Sequence, residues 1–564
     1  MRETLRFLVS PIRGLQGAVY ILAAFALFSS LLALVRDRLF AHVFGAGTEL
    51  DLYYAAFRIP DFLFVALGAL VSVYILIPEL VRRNSEEQKA YIDTVIVGFS
   101  ALSFVAATAT ALFAPQILTA LFPQFVEAGH LSTLSTLTRV MLLQPILLGA
   151  SNILAAITQV KQRYTLYAIS PVLYNAGIIC GILFFYPLIG IQGLAWGVVL
   201  GALLHCTIQL PSIVGDGFFR RVPRLYDTAA LLRTVVVSIP RALALSMNQV
   251  TVLGLTALAS LLSAGSITVF MFGFNLMNVP LAIIGASYSV VAFPTLASAL
   301  SGGRTSEFIE YVSAAARYIL FWSLPVTALL LVLRAHIVRV ILGSGSFDWT
   351  DTRLTAAIFA LLSLSLTAQA LMLLFARANY AAGRTFVPFF VSLGTAFSTL
   401  GLTLVFLESF KNPATLQFVE RIMRIESVPG SAVLALPLSF ALLSILGTLV
   451  LMLHFELRFG GLFSRIRTTF LQGALSAIGG AAAAYTALFA LGPLSLTSTL
   501  LSVFLKGFVA GLAGIAGVTL IYMLLPSREF NETVGVMHER LWRRRLAPGQ
   551  PIASAEEISS SSPQ

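Results

Sequence analysis

Long apolar runs separated by short polar breaks dominate the chain from end to end. Crossing about 30 Å of hydrocarbon takes roughly 20 helical residues. Runs of that length predict helices near 17–38, 50–80, 90–114, 132–158, 164–185 and 188–211. After a basic stretch they resume near 235–263, 267–300, 308–333, 353–378, 385–407, 431–454, 466–491 and 498–525. The pattern predicts an all-α polytopic membrane protein of about fourteen transmembrane helices. Two six-helix repeats would surround a central cavity, and two C-terminal helices would follow. Arg2, Arg6 and Arg13 precede the first run in the manner of a signal peptide. That run is long enough to span, and many spans follow it, so it reads as the first membrane helix.

The polar breaks organise the chain further. Residues 1–211 read as an N-terminal lobe, 212–234 as a basic cytoplasmic linker and 235–454 as a C-terminal lobe. The extra helices fill 455–525, and 526–564 is a cytoplasmic tail whose Ser-rich end is expected to be disordered. In 408–430, Leu416, Val419, Ile422 and Met423 recur at helical spacing with charges between them. This predicts a short helix, lying either on the outer membrane surface or within a solvated loop.

Composition agrees with a membrane protein: 58% of 564 residues are hydrophobic, and mean hydropathy is +0.90. The net charge of +11 suggests topology rather than nucleic acid, because the basic residues sit in loops. Arg82-Arg83, Lys161 with Arg163, Arg220-Arg221, Arg384, Arg458 and Arg543-Arg544-Arg545 alternate with basic-poor loops such as 115–131 and 186–190. The rule that cytoplasmic loops are positive then puts both termini in the cytoplasm. Arg334, Arg339 and Arg353, and the stretch from Lys411 to Arg424, break the alternation. Trp542 beside three arginines would attract anionic membrane lipids. Cys180 and Cys206 lie in apolar runs, the six histidines show no zinc spacing, and no Walker A sequence occurs. The chain therefore reads as no enzyme, with no cofactor, no metal site and any coupling ion unassigned.

The two halves resemble each other weakly. Pro60, Gly68-Ala69 and Ile77-Pro78 have counterparts in Pro280, Gly285-Ala286 and Phe293-Pro294. Likewise Lys161-Gln162-Arg163-Tyr164 followed by Pro171 matches Arg377-Ala378-Asn379-Tyr380 followed by Pro388. Such a repeat is a transporter design, and Gly and Pro within helices two and eight would let them bend.

Val35-Arg36-Asp37, Phe44-Gly45-Ala46-Gly47, Asp51, Ala56-Phe57-Arg58-Ile59-Pro60 and Ile77-Pro78 resemble the MviN/MurJ family of lipid II flippases, within the MOP exporter superfamily. Thr138-Arg139, Asn248-Gln249, Gly345-Ser346-Phe347 and Ala376-Arg377-Ala378 extend the resemblance over most of the chain. It implies a cationic central cavity that receives the pyrophosphate of a polyprenyl-linked anionic glycolipid, in a monomer. It also implies a cavity role for Arg36 and a functional one for Asp51. The chain departs from the family where basic residues are usual, at Ser30, Phe64, Val65 and Asn275. Two other readings stay open: an exporter of a different polyprenyl-linked glycan or small molecule, and a membrane scaffold that transports nothing.

The candidate substrate-binding residues are Arg36, Asp51, Arg58, Arg139, Asn248, Asn275 and Arg377. A charge in hydrocarbon costs about 3 kcal/mol or more, so those within spans should face a cavity or an interface. Arg36 either takes a phosphate through its planar guanidinium or forms an ion pair with Asp37 or Asp51. Asp51 cannot bind pyrophosphate, so it orients an arginine, responds to protonation or simply pairs. Arg58 precedes Pro60, where backbone pairing loosens. Arg38 is read as a snorkelling side chain and Arg139 as an outer entrance or interfacial anchor. Arg377 is read as a cytoplasmic anchor or headgroup collector. Asn248 and Asn275 are either cavity groups or interhelical hydrogen-bonders.

Overall fold

The computed structural model describes residues 15–71, 73–219, 221–493, 499–535 and 538. Every regular element among them is helical. The main helices are α1 (Leu15–Phe44), α2 (Thr48–Val81), α3 (Ser85–Leu112), α4 (Leu131–Val160), α5 (Tyr164–Ile189) and α6 (Gln192–Gly215). A second set comprises α7 (Thr228–Ser260), α8 (Ser266–Ser301), α9 (Thr305–Leu342), α10 (Trp349–Ser363 and Leu366–Ala381), α11 (Phe386–Ser409) and α12 (Ser431–Phe459). Then come α13 (Leu462–Leu491) and α14 (Leu500–Leu524). Among the described residues twelve helices are long and apolar enough to cross a membrane, thirteen when the halves of α10, bent by 42°, count as one. Helix α1, apolar as far as Val35, is the remaining one of the fourteen main helices and is not among those counted.

α2 and α8 occupy matching places in the two sets, and both are interrupted. α2 carries Pro60 and passes through a 3-10 turn at Ala69–Val71. α8 carries Pro280, then a π-helical turn at Ala282–Ala286, then Pro294. Each proline removes a backbone donor, and the irregular turns absorb the mismatch. The paired Gly-Ala positions of the sequence repeat fall at these interruptions. Helices without large side chains close up elsewhere: a Cβ on Gly177 of α5 would lie 2.2 Å from the Cα of Gly201 on α6.

Several local expectations are corrected. α6 runs to Gly215 and α7 begins at Thr228, so the connector is shorter than the basic stretch 212–234. Arg163 of the preceding turn pairs with Asp216 at 2.7 Å, and Phe218 is buried. The short helix Pro413–Met423 starts from the Asn412 cap and packs Leu416, Val419 and Met423 on the central core. Its Glu420 carboxylate is buried and accepts from Ser431 Oγ. The basic residues that break the charge alternation are bound by protein. Arg334 donates to the Met423 carbonyl, Arg353 to those of Arg424 and Glu426, and Arg339 stacks over Trp349. The start of the tail docks beneath α9 and α13. There Glu529, 3% exposed, pairs with Arg317 at 3.0 Å and accepts from Thr469. The Ser-rich end, the Arg543 cluster and the first fourteen residues lie outside the described residues.

Candidate substrate cavity and gate

A cavity of about 310 Å³ lies between the two sets of helices. α1, α2, α4 and α5 form one wall, and α7 and α8 form the other. Four of the seven candidates meet there: Arg36, Arg58, Asn248 and Asn275. Helical spacing explains the α2 contribution, since Tyr53, Tyr54, Phe57, Arg58, Asp61 and Phe64 recur along one face.

The two arginines are held differently. Arg36 gives Nε and Nη2 to Asp37 Oδ1 at 3.0 and 2.8 Å, and Nη1 to Asn175 Oδ1 at 3.0 Å. Asp37 is 2% exposed, and its other oxygen accepts from Asn275 Nδ2 of α8 at 3.1 Å. The pairing alternative for Arg36 is therefore realised with Asp37 and not Asp51, while the guanidinium remains on the cavity wall. Asn275 serves as both a cavity group and an interhelical hydrogen-bonder. Arg58 gives Nε to the Tyr54 carbonyl at 3.3 Å, and its guanidinium lies 5.7 Å from the Phe57 ring centre. Its nearest carboxylate, Asp61, stands 4.0 Å away. Tyr54 and Gln144 also line this space, and their buried Oη and Oε1 atoms have no hydrogen-bond partner among the described residues.

Three candidates lie elsewhere. Asp51 is buried beside the start of α8, where it accepts from Gly265 N (2.7 Å), Thr268 N (2.8 Å) and Thr268 Oγ1 (2.6 Å). Gly265 sits at φ +87° and has no side chain to cap its own helix, so a carboxylate from α2 caps it instead. Among the described residues Asp51 pairs with no arginine. Arg139 gives Nε to the Ala111 carbonyl at the end of α3 and does not line this cavity. Arg377 lies far along α10, outside the cavity wall, with interactions of its own.

The Asp51 contact belongs to a seal where α1 ends and α2 begins. Asp351 at the start of α10 accepts from Ala46 N at 3.2 Å, and Ser346 N donates to the His42 carbonyl at 2.9 Å. Arg38 gives Nη1 to the Val340 and Ile341 carbonyls at 2.6 and 3.1 Å, in the last turn of α9. That corrects the snorkelling expectation: the cation caps the negative end of a helix in the other set.

Sequence reasoning missed Asp61, Gln144, Tyr54, Tyr174 and Asn175. Asp61 was legible, since it follows Arg58 by three residues on a helix and shares its face. Of the positions where family charges are absent, Phe64 and Asn275 line the cavity, while Ser30 is half-buried and bonded to the Ala26 carbonyl.

Residues 40–505 match the model of the family described as lipid II flippase MurJ. The chain belongs to that family. A protein of Buchnera aphidicola (subspecies Acyrthosiphon pisum) named probable lipid II flippase MurJ is 29% identical over 378 residues, covering 65% of this chain and 74% of the relative. A Thermotoga maritima protein of the same name is 27% identical over 368 residues, covering 65% and 74%. A solved lipid II flippase MurJ in an inward closed conformation superposes with a TM-score of 0.69 at 20% identity, covering 90% of this chain and 98% of that one. An inward-facing multidrug resistance MATE family transporter of the MOP superfamily gives 0.61 at 14% identity, covering 77% and 96%. At these identities the two structures speak to the fold, which this chain shares with both in outline.

Proposed function

We propose that this protein is a lipid II flippase of the cytoplasmic membrane, serving peptidoglycan synthesis by alternating access. The family match across residues 40–505 carries the reading. The anionic headgroup enters the cavity beside Arg36 and Arg58 while the polyprenyl tail stays in the bilayer. The two sets of helices rock about it, with the interruptions of α2 and α8 as the places where those helices bend. Both termini are cytoplasmic, supported by the alternation of basic loops. The seal at Asp51 and Asp351 then faces outward, closing the exit. The protein works as a monomer, and the membrane potential or an ion gradient supplies the driving force.

Cells depleted of their own lipid II flippase test the reading. Expression of this chain should restore growth and relieve lipid II accumulation. Arg58→Ala should abolish rescue at normal protein level, and Arg58→Lys should restore only part of it, because an ammonium cannot reproduce a two-pronged phosphate contact. Absence of rescue by the well-expressed native chain refutes the assignment.

A further inference from the structure

The cavity holds an ion pair that does not close. The other ion pairs among the described residues come within 3.3 Å or less, whereas Arg58 and Asp61 stay 4.0 Å apart. No donor among the described residues reaches hydrogen-bond distance of Asp61. Its side chain is 23% exposed, and that surface lines the cavity. Arg58 is nearly as unspent, with one long bond from Nε and its terminal nitrogens short of the carboxylate. Arg36, by contrast, is satisfied three times over.

Resting on the flippase reading, we propose that Asp61 is a release residue that weakens the grip of Arg58 on the substrate's pyrophosphate. A phosphate seated on Arg58 comes within a few ångströms of a second anion, and at that range in a partly desolvated cavity the repulsion is substantial. The repulsion acts only while the headgroup is bound, so it lowers affinity without closing the empty site. A transporter gains from this, because binding must be firm enough to load and loose enough to unload. Asp37 cannot serve the same end, since it is 2% exposed and both its oxygens are engaged. The reading also gives the wide spacing a purpose: at hydrogen-bond distance, Asp61 would occupy Arg58 and compete for its fork directly.

Asp61→Asn removes the charge and keeps the shape. The purified full chain should bind farnesyl pyrophosphate about tenfold more tightly than the native protein, an effect that shrinks with added salt. In proteoliposomes the same variant should flip lipid II more slowly, since unloading becomes limiting. Asp61→Glu should stay near native in both assays, and Asp61→Ser replaces Asp61→Asn if that variant runs aggregated on gel filtration. Unchanged or weaker binding by the neutral variants overturns the proposal, and so does tighter binding with undiminished flipping. Failure of the native chain to bind farnesyl pyrophosphate at all refutes the flippase reading. Equal affinity for inorganic pyrophosphate would show that the tail adds nothing, leaving the charge effect intact but the lipid source wrong.

Discussion

Asp51→Asn should open the seal without unfolding the protein. The native carboxylate accepts three hydrogen bonds from the first turn of α8, at 2.6 to 2.8 Å, from a position 3% exposed to solvent. Bonds to a buried charge contribute about 1.5–3 kcal/mol each, net of desolvation. An asparagine keeps one oxygen for Thr268, but it turns an NH2 group toward Gly265 N, another donor. The loss is then about 3 kcal/mol, roughly two powers of ten in the ratio of sealed to unsealed molecules. Because Asp51 and Gly265 belong to different sets of helices, the cost falls on their contact rather than on either set. Spin labels at Ala128→Cys and Glu426→Cys, one exposed position on each set, report the separation in a background without Cys180 and Cys206. The native protein should give a short distance, and Asp51→Asn should add a longer population of comparable or greater weight. Thr268→Val, which loses one of the three bonds, should give a smaller shift. An unchanged distance distribution together with a lowered melting temperature would refute the reasoning, since Asp51 would then be stabilising the fold and not a gate.

Gly265→Ala should produce the same opening by sterics. The residue sits at φ +87°, and an added Cβ would stand 2.5 Å from the Ala46 carbonyl oxygen in the other set, so the same label pair should lengthen. Glu532, in the tail beyond α14, is held below the usual carboxylate range by Tyr318 and Arg528. A depressed folded pKa contributes stability above the unfolded value of about 4.3, and it is lost as pH falls through the folded one. The group is largely exposed, so solvent screening leaves only about 0.5 kcal/mol, and Glu532→Gln should lower the melting temperature at pH 7 by a degree or so and by less at pH 3.

The spans were legible because length and apolarity alone decide them, and the repeat because its glycines and prolines mark where α2 and α8 break. The cavity charges Arg36 and Arg58 were legible too, as ionisable groups in a chain that is only 11% charged. The partners of those charges were not. Arg38 looks like an interfacial cation until α9 places Val340 and Ile341 against it, about 300 positions away in sequence. Asp51 looks like a mate for an arginine because the nearest cations in sequence are arginines. Its real partners are the uncapped amides of α8, which no charge pattern displays. Asp61 failed for the opposite reason: its context was local, but an acid did not fit the expectation of a cationic cavity.

Gate and cavity divide the work between the sets unequally, and the division constrains how the molecule can move. At the seal the exchange is reciprocal: α2 supplies Asp51 to the start of α8, and α10 supplies Asp351 to the backbone just before α2. Gly265 cannot cap its own helix, so the start of α8 is completed from the other set, and that cap would be lost together with the Asp351–Ala46 contact if the sets parted. In the cavity the charges are one-sided. Arg36, Arg58 and Asp61 all come from α1 and α2, while α7 and α8 offer the neutral Asn248, Gln249 and Asn275. An anion bound as proposed would therefore be anchored to the N-terminal set and only brushed by the C-terminal one. Rocking of the sets would break the Asn275–Asp37 bond, but the contacts to the arginines need not break. Under the proposed function the headgroup would then travel with α1 and α2, and the moving wall would slide past it without having to pull a phosphate off a cation.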